Sequence, residues 1–344
     1  MKQQYDSRRA ELVLTYNGYD LSIDIADSLL DFTYNDAPPG YLDDIQISLQ
    51  DRDLNWQSSD WIPMQGDKVK AEIHTFNWLK DGEIKKINLG DFEVDTIEYS
   101  GPPDVVSIKA VSLPISSTGR QEKRTKAWEK ASLRTIAADV AKRSGLKLVY
   151  LAPDNPTYDR LEQTEKSDLQ FLNDTAVQEG IALKVASKQL VLFDEFEFEK
   201  KPPVVTLSRG KDRILSYKFS WATAYATYIA CEIGYTKPKQ KKTLKAVYRP
   251  PKAPKIGPVL KVKEQVNSEA EALRKAKKML REKNKEIGKA SFSLVGDTRL
   301  AAGTTIRIDG FGWFDGKYLI EQATHKIGNS GYTTDIEIRQ VLGW

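Results

Sequence analysis

From Gly288 to Trp344 apolar and polar residues alternate, and glycines punctuate the alternation. The alternating runs are Ser291–Val295, Thr305–Ile308 and Thr334–Arg339. A period of two sends one side of a strand into a core and the other into water. Gly303, Gly310, Gly312, Gly316, Gly328 and Gly331 separate the runs, where tight turns ask for positive φ. Asp315-Gly316 and Asn329-Ser330-Gly331 favour hairpins. The stretch predicts a small antiparallel sheet or barrel of at least four strands.

The same plan is legible near the N-terminus. Gly66-DKVKAEI and Gly303-TTIRIDG each launch a strand from a glycine, with Val69 and Ala71 matching Ile306 and Ile308. Gly90-DFEVDTIEY runs beside Gly316-KYLIEQATH, so that Phe92 matches Tyr318, Val94 matches Ile320 and Tyr99 matches His325. Both segments turn through glycine into a further alternating strand, Val105–Val111 and Thr333–Val341. Repetition of the order as well as the pattern argues for a duplication.

Other elements fill in the chain. Hairpins are expected around Asn17-Gly18 and Asp81-Gly82, and Ile45, Ile47 and Leu49 share one face of a strand. After Thr118 the period becomes helical. Leu133, Ile136, Ala137, Val140 and Ala141 line one face, with Ser132 as N-cap and Gly145 as stop. The plan recurs with Ser167 and Gln170 as a capping box, Leu169, Leu172, Ala176 and Val177 as the apolar face, and Gly180 as stop. Leu146–Tyr150, Ile181–Val185 and Gln189–Phe193 read as strands. Beyond Pro202-Pro203 the chain returns to β at Ile214–Trp221 and Ala226–Tyr235. A further helix opens at Ser268 and Glu271, with Ala272, Leu273, Ala276, Met279, Leu280 and Ile287 inward and basic residues crowding its C-terminal half. The expected fold class is α+β: two related antiparallel β-barrel domains with an inserted α+β domain. The first barrel takes residues 1–117 and the α+β domain 118–200. The second barrel is split over 201–235 and 288–344, with a basic loop and helix inserted at 236–287.

Composition narrows the function. No apolar run approaches the ~20 residues of a membrane span, and the start has no apolar signal region. A single cysteine, Cys231, excludes an internal disulfide and a cysteine-rich zinc site; synthesis in a reducing cytoplasm is expected. A net charge of +4 is too weak by itself to imply nucleic acid. No acid lies between Glu232 and Glu264, while Lys and Arg crowd that stretch. It reads either as a solvated loop or hairpin or as a contact, through Lys239, Lys241, Lys242 and Lys245, for an acidic partner or DNA.

Catalytic chemistry is sparse. The chain has two histidines, His74 and His325, so a Ser-His-Asp set or a His-based metal site has only those to draw on; both read as surface residues on strands. Gly310-Phe-Gly312 is not followed by the helix of a dinucleotide loop. Asp43-Asp44 and Glu195/Glu197 lack the marks of a glycosidase pair. Cys231 reads as a small packed residue, and Tyr225, Tyr228 and Tyr235 as core or interface rather than base-stacking groups. No catalytic, cofactor-binding or metal-ligating residue is expected, and no cofactor.

Three segments carry a resemblance. Trp128-EKASLRTIAADVAKRSGLKL resembles the central helix of the phage late control D protein family, the baseplate hub proteins of contractile tails. Tyr158-DRLEQTEKSDLQFLNDTAVQEGIAL resembles a segment in which a Q, S-D, FL, A and G recur in order. Leu300-AAGTTIRIDGFGWFDGKYLIEQATHKIGNSGYTTDIEI resembles the family's C-terminal strand set. The layout is also similar to the N-terminal hub part of type VI secretion spike proteins. The resemblance covers most of the chain. It implies tail-tube-like barrels and a homotrimer whose two barrels per chain form a ring of six. It also implies a structural role joining a sixfold tail tube to a threefold spike. Since the sequence runs out at Trp344 without a β-helical spike, a separate spike protein is expected. Further implied partners are the tube protein, other baseplate proteins and a tape measure protein, with no membrane and with DNA only passing through the lumen. The implied location is the baseplate of a virion or bacteriocin-like particle, assembled in the bacterial cytoplasm. The alternative is a tail-associated cell-wall hydrolase or carbohydrate-binding module.

Overall fold

The computed structural model describes residues 7–59, 61–113, 122–221, 227–237, 242–251, 253–264, 266 and 268–344. The N-terminal barrel is built from β1 (Arg9–Tyr16), β2 (Tyr19–Asp20), β3 (Leu29–Asp36), β4 (Asp44–Gln50), β5 (Lys68–Phe76), β6 (Ile84–Ser100) and β7 (Val105–Val111). The Asn17-Gly18 turn closes β1 on β2, with φ of 47° and 92° at its two residues; these are the positive angles that a two-residue hairpin turn requires. Alternation on β3, β4, β6 and β7 buries Phe32, Ile45, Ile47, Phe92, Val94 and Ile108 in one core.

The C-terminal barrel repeats this plan with β13 (Val205–Ser208), β14 (Ile214–Trp221), β18 (Gly288–Val295), β19 (Thr305–Asp309), β20 (Gly316–Gly328) and β21 (Gly331–Gln340). The repetition extends to register. Val69 faces Phe92 and Ala71 faces Gly90; Ile306 faces Tyr318 and Ile308 faces Gly316. The irregularity between Val94 and Thr96 has its counterpart between Ile320 and Gln322. On the next strand pair Ile47 faces Ile108, as Phe292 faces Ile336. The β3–β4 ladder slips between Leu29 and Asp31, and the β14–β18 ladder slips between Ile214 and Ser216. Bulges bend and twist a strand at a fixed place, so the two barrels share curvature as well as strand order. They differ at the outer strand: β1 runs antiparallel to β5, and β13 parallel to β19.

Between the barrels lie β8 (Lys123–Ser132), α1 (Leu133–Arg143), β9 (Lys147–Tyr150), β10 (Thr157–Ser167), α2 (Asp168–Gln178), β11 (Ala182–Ala186), β12 (Gln189–Phe193) and α3 (Glu195–Glu199). Ser132 and Ser167 cap their helices by accepting from Thr135 and Gln170 N–H. Trp128 lies on β8, not on the helix: β8 and β10 form a charged two-stranded ribbon ahead of α1 and α2. Trp128 stacks on Phe171 with centroids 5.2 Å apart.

The second barrel is interrupted between β14 and β18 by β15 (Ala230–Lys237), β16 (Lys242–Tyr248), β17 (Val259–Lys263) and α4 (Glu269–Asn284). Ala230–Tyr235, expected in the second barrel, pairs instead with β16 and β17. Its apolar side, Cys231 and Ile233, packs on Ala272, Ala276 and Leu280 of α4, which a barrel position would not supply. Within the basic stretch, Lys242–Tyr248 and Val259–Lys263 are therefore strand. Tyr225, Lys239 and Lys241 lie outside the described residues, as do the side chains of Tyr235 and Lys242.

Candidate assembly surfaces

The barrels join edge to edge. The far half of β20 runs past β19 and pairs antiparallel with β3, from Ala323 opposite Asp36 to Gly328 opposite Asp31. The inward-facing row of this seam is His325 opposite Tyr34 and Ile327 opposite Phe32. His325 is fully buried, not exposed as its polar neighbours suggested. Its Nε2 lies 2.9 Å from the Leu300 carbonyl and its Nδ1 2.7 Å from Tyr332 Oη. A carbonyl only accepts, so Nε2–H donates there and Nδ1 accepts from the tyrosine. Burial lowers the His325 pKa, which keeps the ring neutral. His74 pairs with Glu72 at 3.0 Å. The two histidines serve separate places.

At the end of the seam three units meet on Asp36. It accepts from Ala302 N–H at 2.7 Å and pairs with Lys184 of β11. Lys184 also reaches Asp43 at 3.2 Å and the Ala37 carbonyl at 2.9 Å. Burial, opposed by Lys184, pushes the Asp43 carboxyl up to about 7. The β3–β4 turn docks on β11 here, with Gly40 N–H donating to Leu183 O at 2.7 Å. Asp43-Asp44 is thus an ion-pair site within the fold.

The other flank of the middle unit is held by α4. Arg274 reaches Glu179 at 2.9 Å, Lys278 pairs with Asp194, Arg281 reaches Glu199 at 2.8 Å and Lys285 reaches Glu195 at 3.5 Å. This spacing puts all four cations on one helical stripe. Arg339 of β21 completes the cluster, 1% exposed, contacting Glu199 at 2.8 Å, Glu195 at 3.1 Å and Glu321 at 3.3 Å. Glu197 faces outward to Lys200. The basic half of α4 is a clamp on this chain's own acids, a role its sequence alone assigned to the helix dipole.

Two of the strand edges left open among the described residues belong to the sheet that runs through both barrels. β14 ends the strand order of the main sheet, and β6 beyond Glu93 pairs only with β7. β14 exposes Leu215 by 57% and Tyr217 by 44%, an apolar display that an unpaired edge strand normally avoids. Phe219 stacks on Phe314, and Trp221 lies against Trp313, which is 68% exposed. In the N-terminal barrel Trp56 packs edge-on to Trp61. Across the sheet from β14 to β7 the other face is polar, carrying Lys218, Ser291, Glu337, Thr324, Asn35, Gln46 and Lys109 on successive strands.

Cys231 is fully buried, with its thiol pushed up to about 11 by burial, and Tyr228 packs beside it. Among the described residues no cluster of three or more His, Cys, Asp or Glu is placed to hold a metal. No described helix is long and apolar enough to cross a membrane.

A family model described as YQBQ-like matches residues 254–339. The probable baseplate hub protein of Escherichia phage 186 is 25% identical over 96% of this chain and 92% of its own length. The tail protein from Neisseria meningitidis superposes with a TM-score of 0.71 at 15% identity, covering 96% of this chain and 97% of that one. An E. coli component of the type VI secretion system, itself similar in structure to phage tail proteins, gives 0.59 at 11% identity, over 96% of this chain and 77% of that one. In sequence the chain is thus similar over nearly its whole length to baseplate hub proteins, and in fold to tail and secretion proteins.

Proposed function

We propose that this chain is a structural hub of a contractile phage tail or phage-tail-like particle. Three copies form a ring of pseudo-sixfold symmetry that joins a sixfold tail tube to a threefold central spike. The observation that carries the reading is the duplicated barrel, matched down to strand register and bulges. A chain with one barrel suits a sixfold ring in six copies; a chain with two related barrels presents six similar units in three. The tube side then meets six near-equivalent surfaces. The spike side meets three copies of whatever differs between the barrels, chiefly the middle unit and the insertion after β14. The polar sheet face suits a water-filled lumen. The partners are a tube protein, a separate spike, neighbouring baseplate proteins and a tape measure protein, with DNA as cargo only. Assembly proceeds in the bacterial cytoplasm.

No reaction is assigned. His325 is sealed and neutral, Lys184 engages Asp36 and Asp43, and Arg281 and Arg339 engage Glu199. Native mass spectrometry of the purified chain, alone and with its spike, is expected to give three copies. A monomer under both conditions, or six copies in a particle map, would refute the proposal. Peptidoglycan zymograms are expected to stay blank; a cleared band would favour a hydrolase.

A further inference from the structure

The N-terminal barrel holds an apolar pocket of about 250 Å³, whose wall includes Leu14, Leu21, Ile25, Leu49, Trp56 and Trp61. Its phenol, Tyr16, already donates to Asp67. Two connections build much of the wall: β2–β3 supplies Leu21 and Ile25, and β4–β5 supplies Trp56 and Trp61. The same connections expose Asp24, Asp27 and Asp53, and Asp20 stands exposed at the end of β2. Ile23, 89% exposed, continues the apolar rim. Between Arg9 and Lys68 the chain carries twelve Asp and Glu and a single base, Arg52. The result is an apolar hole in an acidic collar.

A knob of opposite charge stands on the insertion after β14. The loop from Arg249 to Pro258 crosses from β16 to β17 over β15 and carries Ile256, 92% exposed. That is the most exposed large apolar side chain among the described residues. The loop is pinned beneath it. Ala253 N–H donates to the Pro250 carbonyl at 3.1 Å, Ile229 N–H to the Pro258 carbonyl at 2.9 Å, and Arg249 to the Pro254 carbonyl. A Cβ at Gly257 would lie 2.5 Å from Ile229, and four prolines fix φ along the loop. A side chain held ready in this way loses little freedom on binding. Lys255 is exposed beside it, and the stretch between Glu232 and Glu264 carries ten Lys and Arg with no acid. In the single chain knob and pocket do not meet, since Ile256 stays in water. We infer that Ile256 of one copy enters the barrel pocket of a second copy, with Lys255 and its basic neighbours against the aspartate collar. One chain carries both halves, so the contact is heterologous and repeats from copy to copy around a ring.

The inference rests on the association of copies proposed above and deepens it. The test puts the photo-cross-linking residue p-benzoylphenylalanine in place of Ile256 in the full chain, in a mixture of isotopically light and heavy copies. Light-to-heavy cross-links are expected to Trp56, Trp61 or residues 19–29. The same cross-linker in place of Val247, opposite Glu232 on the insertion's outer face and 50% exposed, is the control and should leave those peptides unlabelled. Ile256→Asp is the second variant; it changes a side chain that the single chain leaves in water, and it sets a carboxylate against the collar. Fully burying an isoleucine is equivalent to about 10–100-fold in affinity, so sedimentation should show self-association weakened by at least about 10-fold. A trimer by native mass spectrometry whose position 256 labels none of the pocket peptides of another copy, or that survives Ile256→Asp unchanged, overturns this contact and leaves the trimer standing. Labelling of a different baseplate protein alone, in assembled particles, assigns the knob to that protein and overturns the second copy as its partner. A chain that is monomeric and uncross-linked overturns both readings.

Discussion

Replacing Arg339 by methionine isolates the ionic cluster from the barrel that carries it. In the N-terminal barrel the matching position is Val111, 4% exposed, so an apolar side chain suits the strand plan. What the arginine adds is charge. Burial pulls its pKa down, but Glu195 and Glu199 outweigh burial and hold it above its ordinary value. Without it Glu199, whose side chain is 1% exposed, keeps Arg281 alone, and Glu321 keeps Lys289 at 3.3 Å. Removing one partner of a buried ionic group costs about 3–5 kcal/mol. At about 2–4 °C per kcal/mol for folded units of 150–250 residues, the melting temperature should fall by roughly 6–20 °C. Calorimetry reads the fall, and hydrogen exchange should localise it to α3, α4 and β21. A melt within about 2–4 °C of the parent, equivalent to ~1 kcal/mol, would refute the reasoning.

Asp43 gives a pH signature. Its carboxyl titrates near ~3.9 in an unfolded chain and at about 7 in the fold. Between those values the folded state holds the extra proton, so its contribution to stability falls as pH rises from ~4 to ~7, by at most roughly 4 kcal/mol. Urea midpoints of parent and Asp43→Asn should therefore diverge across that window; parallel curves would count against the assignment. Gly296→Ala tests the barrel joint from the other side: a Cβ there would lie 2.2 Å from the Tyr332 ring, and Trp78 Nε1–H donates to the Gly296 carbonyl. The expected loss is about 1–3 kcal/mol, as for overpacking a filled core, read as a lowered melting temperature; an unchanged melt would show that Tyr332 yields freely.

The duplication was legible in the sequence because it rests on local signals. Gly66 and Gly303 begin matched strands, and Val69/Phe92 and Ile306/Tyr318 sit at matched depths. The helix caps at Ser132, Ser167 and Ser268 were legible for the same reason. What was missed depends on distant partners. β8 and β10 read KRTKAWEKAS and TYDRLEQTEKS, charged strands that pair only with each other and bury little, so no alternation announces them. His325 is flanked by Thr324 and Lys326, yet shares a strand side with Ala323 and Ile327, and parity would have turned it inward. The stripe Arg274, Lys278, Arg281 and Lys285 finds its acids on elements far away in sequence. No window along the chain contains both halves of that contact.

The two large interruptions have a common logic. The middle unit rests on the first barrel through the β3–β4 turn, where Gly40 meets Leu183 and Asp36 and Asp43 meet Lys184. At the corresponding place in the second barrel, between β14 and β18, the chain inserts β15–β17 and α4. That insertion reaches the same middle unit, through Arg274 to Glu179 and Lys278 to Asp194. One unit is thus gripped from equivalent corners of both barrels, by a short proline-rich turn on one side and a basic helix on the other. Such a grip fixes the angle between the barrels at two points besides the β3–β20 seam. A ring of closed curvature needs that angle held, because each chain sets a third of the circle in the trimer proposed above. The departures from the repeat therefore gather where they brace it, and the strands of the sheet, which must match from barrel to barrel for the ring to close, keep the shared plan.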